Sequence, residues 1–205
     1  MISTLFISLF WGSVALIAYA YVGYPLLIWL LSRGHSRRAE PITNNQGETA
    51  TTGELPFVSI IIAAYREENV ILDRLNNLAQ LDYPADKLEV LIGCDGNEDL
   101  TGELVTMYDD DRVRLLQFEE RRGKSSVLND CVPAARGEIL VFSDANTHMD
   151  PQCLKQLVRH FDDETIGGVC GQLILEDSET GKNVDGLYWK YENFLKQCET
   201  NLGAV

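Results

Sequence analysis

The strongest constraint on this chain lies at its start. No residue from Met1 to Ser32 carries a charge, and Thr4 to Leu31 is almost wholly apolar or aromatic. About 20 consecutive apolar residues suffice to cross a bilayer as a helix, so residues 1–32 read as a transmembrane anchor. A cleaved signal peptide is the rival, and Ala18-Tyr19-Ala20 imitates a cleavage site. Against it, a basic start is missing and the apolar run continues to Leu31. Pro25 is expected to kink the helix rather than end it, because neighbouring groups re-satisfy freed backbone in membrane segments. Trp11, Tyr24 and Trp29 suit the membrane–water interface. Arg33, Arg37 and Arg38 follow at once. The positive-inside bias then places the amino terminus outside and the rest of the chain in the cytoplasm, anchored to the inner (plasma) membrane.

Residues 33–55, with the run PITNNQGETATTGEL, show no hydrophobic period and read as a flexible tether to a domain over 56–205. That domain holds the surplus of 31 acidic over 17 basic residues, a formal charge of -14. Nucleic acid is therefore not an expected partner, since affinity for its phosphates comes mostly from Lys and Arg releasing counterions. Cys94, Cys131, Cys153, Cys170 and Cys198 include no CxxC pair and are odd in number, as for reduced cysteines in cytosol.

From Pro56 onward, short apolar runs alternate with helical periods. Phe57–Ile62, Leu88–Cys94, Val113–Phe118 and Glu138–Ser143 read as buried strands, and Val169–Leu175 as a fifth. Helices are expected over Val70–Leu81 (buried face Ile71, Leu75, Leu78), Leu100–Tyr108 and Ser125–Ala135 (Val127, Leu128, Cys131, Val132 buried, Gly137 closing it). Two more are expected from Pro151 and over Asp185–Glu199. The alternation predicts an α/β fold with a mostly parallel sheet covered on both faces.

In open α/β sheets, ligands bind beyond the carboxyl ends of the strands. Four polar loops would meet there: Ala64–Glu68, Asp95–Asp99, Glu119–Lys124 and Asp144–Asn146. Singly, each is a turn or a helix cap; together they make a site. Gly123-Lys124-Ser125 is not a P-loop, because Phe118 occupies the position of the first glycine, and no GxGxxG follows the first strand. Asp144-x-Asn146 offers a carboxylate and an amide oxygen suited to a hard divalent ion that keeps positions open for phosphate oxygens.

FVSIIIAAYREENVI, VLIGCDGNED, RRGKSSVLN and ILVFSDANTHMDP together resemble the large family of inverting glycosyltransferases numbered two, with the Rossmann-like GT-A fold. The anchor ending in GYPLLIWL and the segment GLYWKYENFLKQCET are similar to its membrane-bound branch, whose relatives include cellulose and poly-N-acetylglucosamine synthases. The resemblance implies a nucleotide-sugar-binding domain, with a UDP-sugar donor and a glycan or lipid-linked acceptor, working in bacterial surface polysaccharide synthesis. It places Glu67 and the Ala64-Tyr65 backbone beside the nucleotide, Asp95 on the uracil or ribose, and Lys124 near the diphosphate. Asp144, with Asn146 second, would hold Mg or Mn.

Two positions depart from the family pattern: Cys94 stands where the first acid of the nucleoside loop is common, and Asn146 where the second Asp of the metal motif is. The resemblance puts the catalytic base beyond Val205, so the domain is expected to be incomplete at its C-terminus and the chain alone inactive. The rivals are a nucleotidyltransferase, which would show a glycine- and basic-rich signature where Ala64-Tyr65-Arg66-Glu67 stands, and a non-catalytic membrane-tethered sugar-nucleotide-binding module.

Overall fold

The computed structural model describes residues 2–34, 54–174 and 186–203. The chain divides into two compact units, Met1–Gly47 with Cys170–Val205, and Glu48–Val169. Most of the expected tether lies outside the described residues.

In the first unit, α1 (Ile2–Ala18), a π-helical turn (Tyr19–Gly23) and α2 (Tyr24–Ser32) run on from one another. Thr4–Ser32, 29 residues, is long and apolar enough to cross a membrane. The helix continues through Pro25, and the π-turn lies just before it, with the Tyr24 N–H donating to the Tyr19 carbonyl. Such a turn is a usual way for a helix to absorb a proline. Further along the chain, α7 (Leu187–Asn201) packs against α2. The Tyr24 hydroxyl donates to Glu199 Oε1 at 2.7 Å, and the Tyr191 hydroxyl donates to the Tyr21 carbonyl at 3.3 Å. That carbonyl is the one whose regular helical donor would have been the N–H that Pro25 lacks. Pro25, Ile28 and Ser32 are buried, as is Cys198, while Tyr188 and Phe194 are exposed, so the apolar face of α7 is narrower than its sequence suggests. At the end of α2 the Arg33 guanidinium lies 3.7 Å over the Trp29 ring.

The second unit is an α/β layer structure. β1 (Val58–Ala64), β2 (Leu88–Asp95), β3 (Val113–Phe118) and β4 (Ile139–Ser143) form a parallel sheet in the order β3-β2-β1-β4. The alternation of side chains divides the core in two. Val58, Ile60 and Ile62 face α3 (Ile71–Ala79), α4 (Thr101–Met107) and α6 (Cys153–Val158), through Ile71, Leu75, Leu78, Val105, Leu154 and Val158. Ile61 and Leu91 face α5 (Lys124–Ala134) through Val127 and Cys131. Both faces of β1 and β2 are covered, which is why their sequences read as unbroken apolar runs. The residues after α3 tie to α6: the Asp82 N–H donates to the Pro151 carbonyl at 2.9 Å, and Asp82 accepts from Gln152 at 2.6 Å and Lys155 at 2.8 Å.

The structure corrects four expectations. Residues 166–174 form no strand; Leu173 and Ile174 are exposed, and Gly167, Gly168 and Gly171 weaken extended pairing. Leu175 lies outside the described residues. Gly137 does not close α5, which ends with Ala135 in an extended conformation after Pro133. Gly137 is small for another reason: a Cβ there would fall 2.5 Å from the Ser59 nitrogen. Val132 is exposed rather than buried, and the helix expected from Pro151 begins at Cys153, after a turn.

At the amino-terminal edge of the sheet lies Glu89, fully buried. It accepts from the Ser59 hydroxyl (2.6 Å), the Arg136 N–H (2.6 Å), Arg136 Nε (2.8 Å) and Arg114 Nη1 (2.8 Å). Burial alone would raise its pKa, but these donors outweigh it and hold the carboxyl at about 2 against an ordinary 4.5. A carboxyl depressed by folding adds stability that is complete above its unfolded pKa and is lost as pH falls through the folded one. The fold should therefore weaken from about pH 4.5 toward pH 2, by on the order of 3 kcal/mol from this group. Glu89→Gln should destabilise the protein at pH 7 and flatten that acid limb. Thermal unfolding measured from pH 7 to pH 3 checks this, and an unchanged acid limb in the variant would refute it.

Candidate functional site

The chain lays down β2 and β3 on one side of β1 and β4 on the other. At such a switch point the loops leaving neighbouring strands diverge and open a crevice at the carboxyl ends. Here those loops are 65–70 after β1 and 144–152 after β4, with 96–100 and 119–123 alongside. The four polar loops singled out in the sequence therefore share one rim.

The first two are stitched together. The Glu67 N–H donates to Thr101 Oγ1 at 2.9 Å, and that hydroxyl donates to Asp99 Oδ2 at 2.7 Å. Glu68 Oε2 accepts the Leu100 N–H at 3.1 Å, and Tyr65 OH donates to Glu98 Oε2 at 3.2 Å. Arg66, in the left-handed region with φ 57, forms an ion pair with Glu98. With its backbone so fixed, the Glu67 carboxyl has its pKa raised by burial and then by the nearby charges of Asp144 and Asp99. Ala64 is buried as a whole residue, and half-buried Tyr65 is the first residue of the loop to come to the rim.

Asp95 ends β2 almost buried and accepts two backbone N–H groups, from Arg122 at 2.6 Å on Oδ1 and from Gly123 at 2.8 Å on Oδ2. These bonds fix the turn in which Gly123 takes φ 88, a conformation open to glycine. α5 then begins at Lys124, with its positive dipole end at the rim. Lys124 Nζ forms an ion pair with Asp144 Oδ1. The Arg121 guanidinium lies 4.2 Å over the Tyr65 ring, and Arg122, 4.2 Å over Phe118, also pairs with Asp130. Arg66, Arg121, Arg122 and Lys124 thus gather on one edge of a strongly acidic chain.

At the end of β4, Ala145 is buried in the core and turns its neighbours Asp144 and Asn146 outward. No three His, Cys, Asp or Glu side chains converge as a metal cage among the described residues. Asp144 and Asn146 are nevertheless hard oxygen donors, and Asp144 sets up a negative potential that already acts on Glu67. That fits Mg or Mn, which binds through one or two protein oxygens and completes its shell with phosphate and water. Cys94 is no substitute acid: burial, then Asp99 and Cys131, push its thiol up to about 12.

The sequence reading passes over three residues that matter here. Arg121 and Arg122 stand out as a basic pair inside an acidic chain, and Arg74 as a charge on the apolar face Ile71–Leu75–Leu78.

The chain is 38% identical over 121 residues to a beta-monoglucosyldiacylglycerol synthase of Trichormus variabilis, covering 57% of this chain and 26% of that protein. It is 27% identical over 165 residues to a poly-beta-1,6-N-acetyl-D-glucosamine synthase of Staphylococcus aureus, covering 78% of this chain and 40% of that one. The chain thus spans well under half of either relative. Among solved structures, a mannosyltransferase from Pyrobaculum calidifontis, in complex with GDP-Man and Mn2+, superposes with a TM-score of 0.67 at 27% identity, over 92% of this chain and 50% of that one. The fold is thus of the GT-A type. Residues 59–204, from β1 through α7 with all four rim loops, match the family described as Glycosyl transferase family 2, and the chain belongs to it.

Proposed function

We propose that this chain forms the donor site of a membrane-anchored, inverting glycosyltransferase. It moves a sugar from a UDP-sugar to a glycan or lipid-linked acceptor, in surface polysaccharide or glycolipid synthesis. The observation that carries this reading is the rim itself: Asp95 pins the Arg122-Gly123 turn, which sets Lys124 against Asp144 at the switch point of the sheet.

In this reading the nucleoside lies over the Ala64-Tyr65 backbone and Glu67, within reach of Asp95. The diphosphate lies between Lys124 and the Asp144–Asn146 turn. Asp144 and Asn146 would hold Mg or Mn, which would supply charge neutralisation on the leaving diphosphate. The backbone at the start of α5 is held in place before donor arrives, so its dipole acts without reorganisation. The acceptor hydroxyl attacks the anomeric carbon from the face opposite the diphosphate; its proton passes to a carboxylate base of the complete enzyme, the anomeric C–O bond to the diphosphate breaks, UDP leaves and the configuration inverts. In this reading the domain lies on the cytoplasmic side of the plasma membrane, the side on which the positive-inside bias favours Arg33, Arg37 and Arg38.

Asp144→Ala should lower metal-dependent UDP release roughly 100-fold or more in the complete enzyme, because the leaving group loses its dedicated counter-ion. Lys124→Ala should raise the donor KM about tenfold, the worth of one charge-assisted contact. UDP-release assays with UDP-glucose and UDP-N-acetylglucosamine check both; unchanged turnover and magnesium dependence in the Asp144 variant would refute the site. For topology, a reporter fused after Val205 should be active only as a cytoplasmic type, and periplasmic activity would overturn both the orientation and the donor assignment.

A further inference from the structure

Arg74 is the largest fully buried side chain in the described structure, and it has an unusual setting. Its Nη1 donates to Asn77 Oδ1 at 2.7 Å and its Nη2 to Ser143 Oγ at 2.8 Å, while its Nε has no partner. No carboxylate pairs with it among the described residues. Burial pulls the guanidinium's pKa down to about 10. A buried cation without a counter-charge is a net cost to folding.

What the guanidinium holds is the segment carrying Asp144. Ser143 immediately precedes it. Asn77, the other partner of Arg74, closes a two-bond clamp on the far end: its Nδ2 donates to the Met149 carbonyl at 2.9 Å and its Oδ1 accepts the Met149 N–H at 2.9 Å. Arg74 and Asn77 stand one helical turn apart on α3 and grip both ends of the 144–148 loop. Ala145 anchors the middle.

We infer that Arg74 and Asn77 are positioning residues: a clamp on α3 that fixes the spacing of the Asp144 and Asn146 oxygens for a divalent ion on a nucleoside diphosphate. This rests on the reading of Asp144 as a metal ligand. With an amide where a second carboxylate would stand, the pair has less charge with which to organise the ion. Rigidity of the loop makes up for it. The guanidinium touches neither ion nor nucleotide and acts only through the loop.

The test uses the full chain in detergent, with binding as the readout. Mn2+ is titrated in the presence of UDP and free Mn2+ is followed by electron paramagnetic resonance; thermal unfolding and hydrogen exchange are measured on the same samples. Arg74→Met fills a similar volume without the charge. It should leave the melting temperature unchanged or raise it, yet weaken Mn2+ binding about 5- to 30-fold and speed exchange of the 144–149 amides while β1 stays protected. Arg74→Lys should recover part of the affinity. Asn77→Ala should weaken binding as well, with faster exchange confined to the Met149 end. Wild-type Mn2+ affinity in Arg74→Met and Asn77→Ala, whatever the melting temperature, would overturn the clamp. Asp144→Ala is the control that separates the two ideas: if it too binds Mn2+ with UDP normally, the metal reading itself fails, and if it alone loses binding, only the clamp fails.

Discussion

Everything in the α/β unit depends on the parallel pairing of β1 with β2 and β4 in a register that buries β1 on both faces. Parallel ladders need their faces covered, so the pairing demands α3, α4 and α6 on one side and α5 on the other. The same register sets Ser59 opposite Glu89 at one edge and brings Ala64, Asp95 and Ser143 out at the other. The site is thus a consequence of how the core is closed.

β2 links the two edges through its own carboxylates. Glu89, near its start, accepts the N–H of Arg136, just past the end of α5; Asp95, at its finish, accepts those of Arg122 and Gly123, just before α5 begins. The strand from Glu89 to Asp95 runs about 20 Å and the helix about 16 Å, so the lengths match once the connecting turns are counted. Asp95 sits at the positive end of the helix dipole and Arg136 at the negative end, which favours both placements.

The sequence made the four strands and the face of α3 legible because buried parallel strands are near-continuous apolar runs, and a covered helix repeats every three or four residues. It made the rim legible for the same reason: strand ends locate the loops. What it concealed were contacts across long separations. Nothing local says that Asp95 satisfies backbone 27 residues away, or that Asn77 reaches Met149 across 72. Arg74 was visible as a charge on an apolar face, yet its meaning needed Ser143 beside it. The expected fifth strand failed because apolar content alone does not supply a ladder partner, and the glycines around it weaken one. Gly137 reads as a helix stop, whereas it is small to let the chain pass Ser59.

The suspension of α5 between two buried carboxylates bears on how the site meets its ligand. A lysine on a flexible glycine turn would have to be ordered each time an anion arrived, and that loss of freedom would be subtracted from affinity. Lys124 instead opens a helix fixed at both ends. Its backbone entropy is surrendered once, when the domain folds, and only the side chain remains to be ordered on binding.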